Sequence, residues 1–254
     1  PQRVTGAVSA KVSRQQLMRA HMQMEGWHIM AVQETRLPPG TTGGPDSGCF
    51  LISSGAQKGH FGCGLMVNTA TAYATSRAGP RFFQRSHFHM LSANPRYMFI
   101  RVDAPMINET IAVAHCPYQS TNGPLEAARK EWWSEFHKQC RRWRPTVIMG
   151  DFNAHITPRM EALPHVGAFG HASKPNDNAE RLCDLAKELE LIIENTLSRT
   201  AAAPTFLSNH GTWHQIDFLL LPPGLHKLCS SCRVIDDWDG GTGHTDHLPV
   251  VCHV

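Results

Sequence analysis

The sequence predicts an α/β (α+β) chain whose core is two packed β-sheets with helices outside. Two observations carry this. Apolar runs of strand length alternate with amphipathic helical stretches, and many of the runs follow one another directly, without a helix between them. A doubly wound parallel sheet would interpose a helix at most of those junctions. The 254 residues are 41% hydrophobic and 18% charged, enough for a sizeable core and against a disordered chain.

The elements follow in order. Ser13–Glu25 predicts a helix, capped by Ser13, striped by Leu17, Ala20, His21 and Met24, and ended by Gly26. His28–Gln33 is a buried strand that delivers Glu34 at its end. Gly48–Ser54 and Gly64–Asn68 predict two more strands, while residues 69–96, rich in Arg, His, Pro and Ser, give no clear pattern. Tyr97–Val102 and Thr110–Ala114 predict strands around a turn at Ala104–Asn108. Leu125, Ala128, Trp132, Phe136 and Cys140 recur at helical spacing in Leu125–Arg142, which Pro145 ends before the strand Thr146–Met149. Glu180–Leu189 predicts a helix with Leu182, Leu185, Ala186 and Leu189 inward. Leu191–Glu194, Gln215–Leu221 and Leu248–His253 are the last strands.

A net charge of +3, with sixteen histidines uncounted, permits a polyanionic partner without demanding one. Lys130, Lys138, Arg141, Arg142 and Arg144 on or after the second long helix are candidate phosphate contacts, against the plainer reading of a solvated helix face. Eight cysteines in a chain this long read as reduced, intracellular thiols. Cys229 and Cys232 form one CxxC, but zinc needs four ligands and no second pair has matching spacing, so solvated turn cysteines are the expectation. No apolar run approaches a membrane span and no secretory signal is visible.

Four segments place acid, amide or imidazole groups where an apolar strand stops. Gln33-Glu34-Thr35 offers a strand-end carboxylate, a suitable ligand for a hard cation. In Gly150-Asp151-Phe152-Asn153, Asp151 and Asn153 share one side of the chain, and Gly150 lets the backbone pass close to a ligand. Asp217, flanked by Ile216 and Phe218, needs a partner for a half-buried charge. Gly243-His244-Thr245-Asp246-His247 puts Asp246 and His247 on a rim, with His247 able to activate water and Asp217 able to orient it. A fifth, His115, ends a strand and can donate to a phosphate oxygen or protonate a leaving group. Phosphodiester hydrolysis needs a Lewis acid, an activated water and donors for the transition-state oxygens. Glu34 and Asp246 fit the first role. His247 with Asp217, or Asp151, fits the second, and Asn153 and His115 fit the third.

These segments, in this order, resemble the recurring marks of the endonuclease/exonuclease/phosphatase superfamily: Gln33–Thr35, Gly150–Asn153, Ile216–Phe218 and Thr245–Val250. The chain looks most like the apurinic-type endonuclease domains of non-LTR retrotransposons, through Asn176–Leu182, Leu191–Thr196 and Ala203–Phe206 preceding Gly211–Trp213. The resemblance implies one domain over residues 1–254, a four-layer sandwich of two packed mixed β-sheets flanked by helices. It also implies a first strand that is truncated here, or a chain cut from a longer polyprotein. The implied activity is DNA nicking with Mg²⁺, or Mn²⁺ as a substitute, with substrate contacts at Asn178 and Thr205. The implied partners are DNA and a reverse transcriptase domain in the same polyprotein, with no membrane, and the site of action is nuclear. Two positions depart from the pattern. The family's first-strand Asn is missing near Gly6–Val8, and His115 stands where many retrotransposon relatives carry Tyr. Alternatives are a phosphodiesterase or phosphatase acting on RNA, a nucleotide or a lipid head group, and a decayed binding domain.

Overall fold

The structure, a computed structural model, describes residues 13–160, 165–238 and 246–254. Their helices are α1 (Arg14–Glu25), α2 (Gly123–Trp143), α3 (Asp177–Glu188) and α4 (Pro223–Leu228). The strands begin with β1 (Ile29–Val32), β2 (Gly40–Gly44), β3 (Cys49–Ser53), β4 (Gly64–Asn68) and the short hairpin β5 (Ala74–Ser76) and β6 (Gly79–Arg81). Next come β7 (Phe88–Asn94), β8 (Tyr97–Ala104), β9 (Ile107–His115), β10 (Val147–Asp151) and β11 (Ile192–Ile193). The chain ends with β12 (Phe206–Leu207), β13 (Trp213–His214), β14 (Asp217–Leu221), β15 (Ser231–Val234) and β16 (Val250–His253). The missing first-strand Asn and the Gly243–Thr245 part of the last motif lie outside the described residues.

Two sheets dominate, in the orders β1-β4-β3-β2 and β11-β14-β10-β9-β8-β7. Alternation along the strands divides the apolar side chains among three cores. Leu51 and Met66 face Met18 and Met22 of α1, and Ile235, just after β15, and Val251 of β16 add to them. Phe50, Ile52, Leu65 and Val67 face Met98, Ile100 and Val113 of the second sheet. The other side of that sheet, with Phe99, Ala112 and Ile148, meets Trp133 and Phe136 of α2 and Leu182 and Leu185 of α3. Three cores between helix, sheet, sheet and helices make the expected four layers. Only the second sheet is mixed, because β10 runs parallel to β9 after the α2 crossover; the first is antiparallel throughout, its strands being joined without helices.

Local signals explain the helix ends. Ser13 makes a reciprocal capping box with Gln16, and Gly26 closes α1 in the left-handed conformation at φ 70°. The expected inward stripe of α1 is displaced: Met22 is fully buried and Met24 is 72% exposed. Leu125 and Ala128 of α2 are likewise exposed, because the first inward position is taken by the buried Arg129. Of the basic residues expected to contact phosphate, Lys130 lies 3.9 Å from Glu126. Lys138 pairs with Glu135, Arg141 with Glu188, and Arg142 lies over Trp143. The C-terminus of α2 leads into the start of β10, so Arg141 and Arg142 sit at the end of the sheet opposite Asp151.

Gly150 has a different purpose from the one its place in the motif suggests. A Cβ there would collide with the carbonyl of Ala114 on β9, so glycine sets the approach of two strands and not of a ligand. Gly150→Ala is expected to lower stability by about 1–3 kcal/mol, as overpacking of a tight contact does. Urea denaturation checks this, and an unchanged midpoint would mean that β9 and β10 do not pack this closely.

Candidate active site

At one end of the second sheet β9 and β10 finish and the antiparallel β14 begins, side by side. Asp151 at the end of β10 pairs in register with His115 of β9 and with Asp217 of β14. Backbone bonds from Cys116 N to Asp151 O and from Phe152 N to Ile216 O, 2.8 and 2.9 Å, extend the ladder past these residues. The hairpin β12–β13 carries the fourth group. Leu207 N donates to Asp246 O and Leu248 N donates to Thr205 O, both at 2.7 Å, so residues 246–248 add to the hairpin edge. His247 then reaches Asp217, with its Nδ1 3.0 Å from Oδ2.

Ligand atoms of Asp151, Asp217 and His247 all lie within 4.8 Å of one another, the only such His, Cys, Asp or Glu group among the described residues. The two expected metal ligands, Glu34 and Asp246, stand outside it. Glu34 is on the same rim, and its charge bears on both His115 and Asp151, but its carboxylate takes Arg36 at 3.1 Å in half-exposed surroundings. Asp246 is exposed and acts on His247 only through its charge. The carboxylates assigned to base chemistry are therefore the ones that cluster.

Electrostatics divide the site. Burial, then the Asp217 charge, pushes the Asp151 carboxyl well above the usual carboxylate range. Burial also opposes the His247 cation, but Asp217, Asp151 and Asp246 together overcome it and raise the imidazole to about 9. His115 goes the other way. Burial and the nearby Arg96 lower it to about 4, so it is neutral at pH 7 and lies 3.9 Å from Asp151, too far for a hydrogen bond. It can offer a phosphate oxygen an N–H, but as a neutral ring it is a poor acid for a leaving group.

Asn153 sits at φ 46° and Glu34 at φ 52°, left-handed conformations that non-glycine residues adopt at a cost, and such strain is concentrated at functional sites. The Asn153 backbone N–H donates to Asp151 Oδ1 at 2.9 Å, and its Nδ2 donates to Cys116 O at 2.9 Å. One amide hydrogen remains for a ligand.

Asn178 and Thr205, expected to touch substrate, are both fully buried. The Asn178 amide oxygen accepts from Arg129 and Trp133 at 2.7 and 2.8 Å, and its nitrogen donates to the carbonyls of Pro117 and Asn153. No atom of that amide is left for a ligand. The Thr205 hydroxyl accepts from the N–H groups of Ile216 and Asp217 at 3.1 and 3.2 Å. Both are positioning residues, one for the loops after β9 and β10 and one for the start of β14. Asn176 joins the first set, capping α3 and donating to Asn153 O at 2.8 Å.

Arg96 escaped the sequence reading because it falls in the unpatterned 69–96 stretch. Its guanidinium lies 3.8 Å over the Phe61 ring and donates to His115 O at 3.4 Å. It places a cation within reach of Asp151 and Glu34. Beside the cluster, a cleft of about 400 Å³ is lined by Tyr118, Gln119, Asn153 and His155, with Tyr118 exposed.

The Endonuclease/Exonuclease/phosphatase family profile matches residues 8–237, and the chain belongs to that family. No curated protein sequence matches it. Among solved structures, the endonuclease domain of TRAS1, a telomere-specific non-LTR retrotransposon, shares 14% identity at a TM-score of 0.61, covering 96% of this chain and 93% of that one. An AP endonuclease from Archaeoglobus fulgidus shares 17% identity at a TM-score of 0.64, covering 93% and 92%. The 3′-5′ exonuclease NExo from Neisseria meningitidis shares 15% at 0.62, covering 93% and 95%. At these identities the likeness establishes the fold.

The His247 shift carries a sign. Its folded pKa is above the ordinary 6.5, so the Asp217 contact stabilises the fold fully below pH 6.5 and that contribution is lost as pH rises through about 9. NMR titration of the metal-free protein is expected to find the His247 ring changing near pH 9, and Asp217→Asn to move that change down by more than a pH unit. A His247 titration unaffected by Asp217→Asn would contradict the pairing.

Proposed function

We propose that this chain is a divalent-metal-dependent phosphodiesterase that nicks DNA, acting with Mg²⁺ or Mn²⁺. In this reading it is the endonuclease part of a non-LTR retrotransposon polyprotein that also holds a reverse transcriptase domain and works in the nucleus. The observation that carries the reading is the convergence of His115, Asp151, Asp217 and His247 at one sheet edge, with Asn153 beside them.

The donor set fits a hard cation. Asp151 and Asp217 lie side by side, and among the described residues no Lys or Arg side chain is hydrogen-bonded to either. Their negative charge is what a Mg²⁺ ion would neutralise, with Glu34 on the rim as a further oxygen donor. Bound there, the ion would supply Lewis acidity toward a phosphate oxygen and lower the pKa of groups around it.

The chain's own residues do the rest. Without a metal His247 is cationic at pH 7, so it serves as a base only once its Nε2 proton is lost, which the charge of a bound cation would favour. Asp217 then holds the neutral ring through Nδ1 and leaves Nε2 as the atom that takes a proton from the attacking water. Asp151 lies within reach of the same proton. Neutral His115 and the free amide hydrogen of Asn153 donate to the oxygens on which charge builds as the P–O bond breaks. Exposed Tyr118 in the adjoining cleft and Trp213 on the β12–β13 hairpin offer aromatic faces to bases, which supports a nucleic-acid substrate.

Purified protein is expected to convert supercoiled plasmid to the nicked circle with Mg²⁺ and not with chelator. His247→Ala and Asp151→Asn should each slow nicking by about 10²–10⁴-fold. Plasmid left intact under conditions that nick control DNA would refute the reading. A second reading, hydrolysis of RNA, a nucleotide or a lipid head group, is favoured by His115 in place of the Tyr of many retrotransposon relatives. A panel of those phosphoesters separates the two: turnover faster than on plasmid would select it.

A further inference from the structure

The CxxC pair that sequence spacing leaves incomplete acquires a third thiol in the fold. Cys229 ends α4, Cys232 lies in β15, and Cys252 stands opposite Cys232 on β16. Ile235 N donates to Pro249 O, so alternation makes Cys232 and Cys252 a non-hydrogen-bonded pair, the kind whose side chains come closest. The Cys252 sulfur is also 3.1 Å from that of Cys229. Glu194, 5% exposed, brings its carboxylate to the Cys229 thiol and is hydrogen-bonded to Nδ1 of His226 at 2.9 Å. Among the described residues no Lys or Arg is paired with Glu194.

Three soft sulfurs, one buried carboxylate and one imidazole make a ligand set unlike that of the active site, which offers carboxylate oxygens and a single ring. We propose that Cys229, Cys232 and Cys252, with the Glu194–His226 pair supplying the fourth position, form a structural Zn²⁺ site. The three sulfurs do not all lie within 4.8 Å of one another: Cys252 is the centre of the set, close to each of the other two, and loading draws Cys229 and Cys232 toward one ion. A disulfide would use only two of the three sulfurs. Tetrahedral coordination uses all three, with Zn–S bonds of about 2.3 Å.

The site sits where a clamp is useful. β16 begins three residues after His247, and the residue after Glu194 is Asn195, whose amide donates to Asp217 O at 2.9 Å and accepts from Leu219 N at 3.1 Å. Zinc would tie the strand that follows His247 to the segment that braces Asp217.

The full chain, purified with reductant and stripped of metal, is to be titrated with Co²⁺ alone. The expected result is an intense thiolate-to-cobalt charge-transfer band at one ion per chain, displaced by Zn²⁺. Cys252→Ser should abolish the band, and Asp217→Asn, which alters only the carboxylate site, should keep it. Absence of the band in the wild-type protein overturns the proposal whether or not any variant folds. So does peptide mapping that finds Cys252 disulfide-bonded to Cys229 or Cys232 in protein that holds no zinc.

Discussion

The site depends on one constraint, the register of β9, β10 and β14. It sets His115, Asp151 and Asp217 abreast at a single edge. Side chains alternate along a strand, so a slip of one residue would turn Asp151 into a core and bring an apolar neighbour to the rim. The register is held by contacts that leave little freedom. Gly150 permits the close approach to Ala114, Phe152 is buried among Trp133 and Phe136, and the ladder continues beyond Asp151 on both sides. The geometry of this cluster is a by-product of sheet pairing.

Around that edge lies a shell of buried polar groups with few atoms left over. Arg129 binds Glu126, Asp177 and Asn178, and Asn178 passes the restraint to the carbonyls of Pro117 and Asn153. Thr205 fixes the entry to β14, and Asn195 braces the strand from the other side. Such groups are costly to bury unless fully bonded, and once bonded they hold the neighbouring side chains in place. The His247–Asp217 contact is the last link. It joins the sheet edge to the chain segment that arrives by way of β12.

Much of this was legible in the sequence. His115, Asp151 and Asn153 sit where an apolar run stops and Asp217 and His247 just before one starts, and in this fold those strand ends converge. The strands that were read correctly are the strongly apolar ones, such as Gly64–Asn68, whose bounds match those of β4. What stayed hidden was non-local. Asn178 and Thr205 look like polar groups free for substrate until the fold shows their partners dozens of residues away. Arg96 has no periodic context, and β7 is half exposed, so its residues carry little hydrophobic signal. The stripe of α2 was misplaced at its first turn because a buried arginine paired with two carboxylates occupies the position that hydrophobic patterning assigns to an apolar side chain. Cys252 is twenty residues beyond Cys232, and only strand pairing shows that they meet.

The central claim is that these distant residues form one cation-binding pocket. The most direct test is a Mn²⁺ titration followed through the imidazole proton resonances. At substoichiometric Mn²⁺ the His115 and His247 rings should broaden together, with the same concentration dependence, while His137 on α2, paired with Glu188, stays sharp. Broadening of only one of the two rings, or of His137 equally with them, would contradict a single pocket at this sheet edge.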